Sequence, residues 1–313
     1  MKRILCALAC AALACLAAGC DSVPSNGMNP GGKTYQGRGP LKIVCTTGMV
    51  ADLVKNIAGD RAMVLQLMGP GVDPHLYKSS PDDAAELGAA DMVFYSGLHL
   101  EGKMTELFRE LAKAKPVIGV AETIDHAKLL EDGGLHDPHV WFDVALWSEA
   151  AGEVERALAE FDPAHTDEYH QRGADLKERL RSLDEFCRSE LQKIPAERRV
   201  LVTAHDAFRY FGRAYEIDVR GIQGVSTDSE AAVRQINELV DFLVQRKIKA
   251  IFVETSVPHE HVRSLLEGCR AQNHEVTIGG ELFSDAMGEE GTPEGTYEGM
   301  IRHNVNTIVK ALH

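Results

Sequence analysis

The chain has 313 residues, 44% of them hydrophobic, and carries 47 acidic against 33 basic side chains, a formal charge of −14. That length and apolar content support buried cores in two domains and exclude a disordered or fibrous chain. The acidic excess argues against a nucleic-acid partner and suits a cationic ligand, although most of the scattered acidic residues read as a solvated surface.

The first residues, "MKRILCALACAALACLAAGC", combine a basic start, an apolar run from Ile4 to Ala18 and small residues before Cys20. That run falls short of the roughly 18–20 residues a permanent spanning helix needs, so residues 1–19 read as an export signal. Losing it removes Lys2 and Arg3 and deepens the charge to −16. Ala17-Ala18-Gly19-Cys20 resembles a bacterial lipobox, which would make Cys20 the lipidated N-terminus; plain signal cleavage is the alternative. Asp21 resembles an inner-membrane retention signal of bacteria with two membranes. Residues 20–40, rich in Gly, Pro, Asn and Ser, read as a flexible tether.

From residue 41 short apolar runs alternate with amphipathic stretches, the pattern of β-α repeats around a parallel sheet. Strands are predicted at 42–46, 63–67, 92–96 and 117–120, with helices that include 49–58 and 102–114, in a domain spanning 41–161. Residues 162–195 then carry Leu176, Leu180, Leu183, Cys187, Leu191 and Ile194 at steps of three and four, one apolar stripe between Pro163 and Pro195. About 30 residues of helix make a rod of roughly 45 Å, a stiff spine that favours small domain shifts over wide hinge opening. A second domain, 196–313, repeats the pattern with strands at 200–203, 217–222, 250–253 and 276–278 and helices at 229–246, 259–271 and 296–312. The expected fold is α/β: two Rossmann-like domains with parallel sheets, joined by one long rigid helix. Cys45, Cys187 and Cys269 remain in the mature body, too few and too odd for a disulfide framework. They read as buried small residues, with pairing of two of them the alternative.

Ligands of open parallel sheets bind beyond the carboxyl ends of the strands, which makes side chains in those loops the candidates. Asp73-Pro74-His75 follows the second strand, and the same tripeptide returns as Asp137-Pro138-His139 after the fourth. His205 follows the first strand of the second domain, and Asp285 the last. Each Pro stiffens its turn and biases the preceding Asp toward an extended backbone, so the His is presented in a defined direction. One loop histidine is ordinarily an exposed or hydrogen-bonded residue; its recurrence after strands in both halves points to a metal. Three imidazoles and a carboxylate suit Zn²⁺ and tolerate Mn²⁺ or Fe²⁺, whereas Cu(I) would ask for a thiolate. Ligand histidines need an acceptor behind the other ring nitrogen, for which Asp73, Asp137, Asp206 and Glu254 are candidates.

The stretches "GVDPHLYKSSPDD", "DPHVWFDV", "TAHDAFRYFGRAYEIDVRGIQGVSTDSEAA", "IFVETSV" and "GGELFSDAMGEEGTPEGTYEGMIRHN" resemble the TroA-like zinc- and manganese-binding lipoproteins of ABC transporters. The resemblance spans residues 40–313 and passes through all four loops in order. It implies a metal buried between the two domains, ligands at His75, His139, His205 and Asp285, and delivery to an ABC-type membrane permease. The protein would then be an extracytoplasmic, lipid-anchored monomer that does no chemistry itself. Zinc importers of this group often carry a long His- and acid-rich loop before the second ligand, where this chain has only His126 and His136. Many manganese-specialised members place Glu at the third position, where this chain has His205. The Irving–Williams order gives such a site tighter binding of Zn²⁺ than of Mn²⁺.

Other candidates are weaker. His259-Glu260-His261 opens a helix and lacks the i, i+4 spacing of a hydrolytic zinc helix; His165 and His170 point to different helix faces. His99, His274, His303 and His313 show no partner pattern, and Gly69-Pro70-Gly71 and Gly279-Gly280 read as turns. Two rival functions stand beside metal capture. A zinc hydrolase would use an open position on the metal for water, yet no residue stands out as a general base. A surface adhesin would hold the metal only as a structural element.

Overall fold

The computed structural model describes residues 33–228 and 232–313. The export signal, Cys20 with the tether up to residue 32, and the first residues of the helix expected from 229 lie outside the described residues. The described end of the tether rests on the fold. The Tyr35 backbone N–H donates to Phe161 O at 2.6 Å, and the two rings pack with centroids 6.1 Å apart.

Three alternating units begin the N-terminal half: β1 (Leu41–Cys45), α1 (Gly48–Ala58), β2 (Ala62–Gln66), α2 (Pro81–Ala89), β3 (Met92–Tyr95), α3 (Thr105–Leu111) and β4 (Val117–Gly119). The four strands form one parallel sheet in the order β2-β1-β3-β4. Helix starts follow local chemistry: Thr47 caps α1, and Ser80 with Asp83 closes a capping box around Pro81 at the head of α2. A small hairpin, β5 (Glu131–Asp132) and β6 (Leu135–His136), precedes α4 (Val144–Phe161), whose cap is Asp143.

The spine is α5 (Thr166–Leu191), 26 residues, roughly 39 Å of helix. Pro163 opens a single 3-10 turn ahead of it, and Pro195 follows its end. The stripe Leu176, Leu180, Leu183, Cys187 and Leu191 is buried, as the periodicity predicts.

Four more strands and helices follow: β7 (Val200–His205), α6 (Arg209–Tyr215), β8 (Asp218–Gln223), α7 (Val233–Arg246), β9 (Ala250–Glu254), α8 (Glu260–Ala271), β10 (Thr277–Leu282) and α9 (Tyr297–Leu312). Parallel pairs β7–β8 and β9–β10 lie with β7 beside β9. Both β7 and β9 are buried along their whole length, which is why they read as unbroken apolar runs. One hydrophobic cluster runs from Leu41 through Trp147, Leu183 and Phe211 to Leu312, so α1, α4, α5, α6 and α9 form a layer shared by both halves. Smaller clusters fill the outer faces, under α2 and α3 on one side and under α7 and α8 on the other. Cys45, Cys187 and Cys269 are buried and unpaired. No helix among the described residues is long and apolar enough to cross a membrane.

The structure differs from the sequence reading at several places, among them the β5–β6 hairpin and α6, which that reading does not predict. The helix expected over 102–114 begins as a 3-10 turn and is α-helical only over Thr105–Leu111. Gly279 and Gly280 lie inside β10 at a bulge and form no turn. They are small because α9 lies against them: a Cβ on Gly280 would sit 2.3 Å from Thr307 Cγ2, and one on Gly279 2.8 Å from Ala311 Cβ. Finally, α4 is a helix outside those predicted; its buried face combines Leu146, Trp147, Val154, Leu158 and Phe161 with Ala150, Ala151 and Ala157.

Gly221 on β8 lets the backbone after His205 pass close by, for a Cβ there would lie 2.6 Å from Asp206 N and 2.7 Å from His205 C. Backbone cannot yield as a side chain can. Gly221→Ala is therefore expected to destabilise the fold by about 1–3 kcal/mol, the usual range for overpacking, read as a lower midpoint in a circular dichroism melt. An unchanged midpoint would show that this crossing is not tight.

Candidate metal centre

Both Asp-Pro-His segments make the same turn. Asp73 Oδ1 accepts the His75 backbone N–H at 2.9 Å, and Asp137 Oδ1 accepts that of His139 at 3.0 Å. An aspartate that bonds the N–H two residues ahead, across a proline that fixes the backbone between, sets the direction of the following side chain. The tripeptide is repeated because two loops have the same task.

His205 is the last residue of β7 and is held from behind by Glu254, the last residue of β9. Its N–H donates to Glu254 Oε1 at 2.9 Å and its Nδ1–H to Oε2 at 2.6 Å. His139 Nδ1–H donates to Asp137 Oδ1 at 2.8 Å. Occupying Nδ1 in this way leaves Nε2 of each ring aimed at the centre. Asp285 enters from the loop after β10, where Ser284 is pinned by Ser256 at 2.9 Å and by Trp141 Nε1 on its carbonyl at 3.1 Å.

The four predicted ligands meet. Nε2 of His139 lies 3.3 Å from Nε2 of both His75 and His205. Asp285 Oδ2 lies 3.2 Å from His205 Nε2 and 3.7 Å from His75 Nε2, and Oδ1 lies 3.3 Å from His139 Nε2. A tetrahedral ion with bonds of about 2.05 Å sets its donors about 3.3 Å apart, so the spacing suits zinc. Both Asp285 oxygens face the ring of nitrogens, which gives an ion of higher coordination a fifth donor. Each of these oxygens is buried, and the polar groups that face it are the imidazole nitrogens themselves. A buried carboxylate with no other partners is costly unless those rings carry protons or a cation sits between them.

Charge is arranged to match. Burial opposes protonation of His139, but Asp137 and Asp285 beside it more than offset this and raise it to about 9. His205 is raised well above the usual imidazole range in the same contest, with Glu254 and Asp285 prevailing over burial. Asp285, which burial alone would push up, is held well below the carboxylate range by His205 and His139. His75 goes the other way: burial lowers it to about 3, and no carboxylate stands behind its ring. The metal-free centre therefore holds two protons, on His139 and His205, and a dication that replaces both leaves the buried charge unchanged.

The remaining histidines are elsewhere. His165 Nδ1 bonds Asp162 at 2.8 Å, His170 Nδ1 bonds Glu155 at 2.6 Å, His274 meets Ile248 O at 2.6 Å and His303 meets Glu281 O at 3.1 Å. His126 and His136 face each other at 3.3 Å across the short hairpin. Of the four candidate supports, Asp206 serves the fold by accepting the Gly221 N–H at 2.9 Å. Sequence reasoning missed Arg209, whose guanidinium approaches Asp137 Oδ2 at 3.4 Å, and Tyr210, whose hydroxyl donates to Asp137 O at 2.9 Å. Their only sequence signal is their place in the first turn of the helix after His205.

Comparison with known proteins agrees with this geometry. Residues 43–311 match the profile of the zinc-uptake complex component A family, periplasmic. The manganese-binding lipoprotein MntA of Bacillus subtilis is 50% identical over 274 residues, 87% of this chain and 90% of that protein. The zinc-binding protein TroA of Treponema pallidum is 50% identical over 283 residues, 90% and 92% of the two chains. The solved structure of the periplasmic zinc-binding protein TroA superposes with a TM-score of 0.86 at 51% identity, covering 88% of this chain and 99% of that one. With the two-domain α/β fold and a His₃Asp cluster between its halves, the chain belongs to the zinc-uptake complex component A family, the metal-binding components of ABC-type metal uptake systems.

Proposed function

We propose that this protein captures Zn²⁺ or Mn²⁺ outside the cytoplasmic membrane, through His75, His139, His205 and Asp285, and hands it to an ABC-type permease. The observation that carries the reading is the pair of buried Asp285 oxygens, ringed by three imidazole nitrogens and by no other polar group. In this reading residues 41–161 and 196–313 are the two metal-holding domains and 162–195 the link between them. Lipidation of Cys20 tethers a monomer to the membrane. The protein performs no catalysis, since the ligand side chains are 0–7% exposed and four protein groups already surround the ion, leaving little room for a substrate. Relatives named for zinc and for manganese stand equally near, and the donor set serves both ions.

A ligand that binds only the folded protein at 1,000 times its dissociation constant adds about 4 kcal/mol. Chelator-stripped protein is expected to melt at a clearly higher temperature with Zn²⁺ or Mn²⁺, and Asp285→Ala to lose most of that shift. Absence of any shift in the wild type would contradict capture. Glu254→Gln keeps the shape behind His205 while removing the charge, and should weaken Zn²⁺ binding by about 10–100-fold in chelator competition. Equal affinity would mean that the carboxylate does not orient the ring.

Metal must displace the proton on His139 Nε2, which the metal-free centre retains up to about pH 9. Protonation competes with metal, so affinity rises with pH through that value. The expected loss is about tenfold per pH unit below it for each proton displaced. A plateau already reached at about pH 7, where an ordinary imidazole is neutral, would show that the centre is not charged in this way.

A further inference from the structure

We propose that Thr227 is a positioning residue that keeps the His75 loop closed on the metal, so that metal leaves by release of that loop while the other three ligands stay together. This rests on the metal-capture reading above.

Three ligands belong to one body. His205 and Asp285 are part of the C-terminal half. His139 comes from the N-terminal half, yet its segment is fastened across: the Tyr210 hydroxyl donates to Asp137 O at 2.9 Å, Trp141 Nε1 to Ser284 O at 3.1 Å, and the Tyr297 hydroxyl to Trp141 O at 2.6 Å. Phe142 stacks on Phe208 with centroids 4.2 Å apart. All these side chains are buried, so separating them would leave polar groups unpaired and open an aromatic core.

His75 is fastened lightly. It is the most exposed of the four at 7%, and among the described residues its Nδ1 meets no hydrogen-bond partner. Outside the ligand cluster, residues 69–80 make one side-chain hydrogen bond to the described part of the C-terminal half, from the Thr227 hydroxyl to Asp73 Oδ2 at 2.6 Å. The other oxygen of the same carboxylate accepts the His75 N–H. One aspartate therefore carries the hold of Thr227 directly to the ligand's backbone, through a charge-assisted bond of the stronger kind. The neighbouring contact is weaker. Lys103 and Asp228 pair at 2.7 Å on the surface, with the Asp228 side chain 60% exposed.

The test is stopped-flow release of Zn²⁺ from the loaded protein to a chromophoric chelator, with association rates and metal-free melting curves measured beside it. Thr227→Val, which keeps the shape and loses the hydroxyl, is expected to release zinc roughly tenfold faster, the effect of one lost hydrogen bond to a charged group. Association and the metal-free melt should be unchanged, and Thr227→Ser should release zinc like the wild type. Unchanged release from zinc-loaded Thr227→Val overturns the proposal alone. Faster release from Thr227→Ser as well, or a lowered metal-free melt in Thr227→Val, assigns the effect to general loosening and overturns it too. A wild type that retains no zinc overturns the capture reading, and the positioning role with it.

Discussion

A buried carboxylate whose only polar neighbours are three imidazoles is the constraint around which the rest of the structure is arranged. Asp285 occupies that position between the two halves, with three imidazoles as its neighbours and water shut out. An isolated charge there would unfold the site or take up a proton. Raised proton affinities at His139 and His205 supply the compensating charge while the metal is away, and Asp137 and Glu254 keep those rings oriented for its return. Exchange of two protons for a dication is then electrically neutral inside the protein. Capture becomes a substitution within a preformed field, with no burial of net charge.

The spine and the shared core explain how such a field is kept in place. An interface between two domains joined by a flexible linker would be free to part. Here the layer formed by α1, α4, α5, α6 and α9 is continuous, and the loop bearing His139 is bonded across it by Trp141, Tyr210 and Tyr297. The loop bearing His75 has no comparable fastening among the described residues. The second of the two Asp-Pro-His turns spends its aspartate on the ring of its own histidine, whereas the first spends it on the opposite half. The same tripeptide is thus fastened in two ways: within its own turn at Asp137, and across to Thr227 at Asp73.

The strands were readable because parallel strands buried on both faces are short apolar runs; β7 and β9 are buried throughout, and β1 and β3 at all but one position each. That His75, His139, His205 and Asp285 would meet was readable because a parallel sheet offers its loops at one end, so a few polar residues at fixed places suffice to define a centre. What escaped was long-range. Tyr210 and Arg209 gain their meaning from a loop some 70 residues away, and nothing in their own neighbourhood states it. Gly279 and Gly280 look like a turn until α9 is laid on them. Helix α4 is different: Leu146, Trp147, Val154, Leu158 and Phe161 do recur on one buried face, so its apolar pattern stands in the sequence although no helix is predicted there. Local propensity and tertiary need disagree most where two elements come closest.

The three buried cysteines have a consequence for which ions the protein can hold. Burial pushes the Cys187 thiol up to about 12 and raises Cys45 and Cys269 as well, so none offers a thiolate at neutral pH. Thiolates are the donors that soft ions seek. Folding withdraws every sulfhydryl among the described residues from competition and leaves nitrogen and oxygen as the accessible donors. Withholding of the thiols is therefore a property of the folded state, not of the composition: a copy that unfolds exposes them.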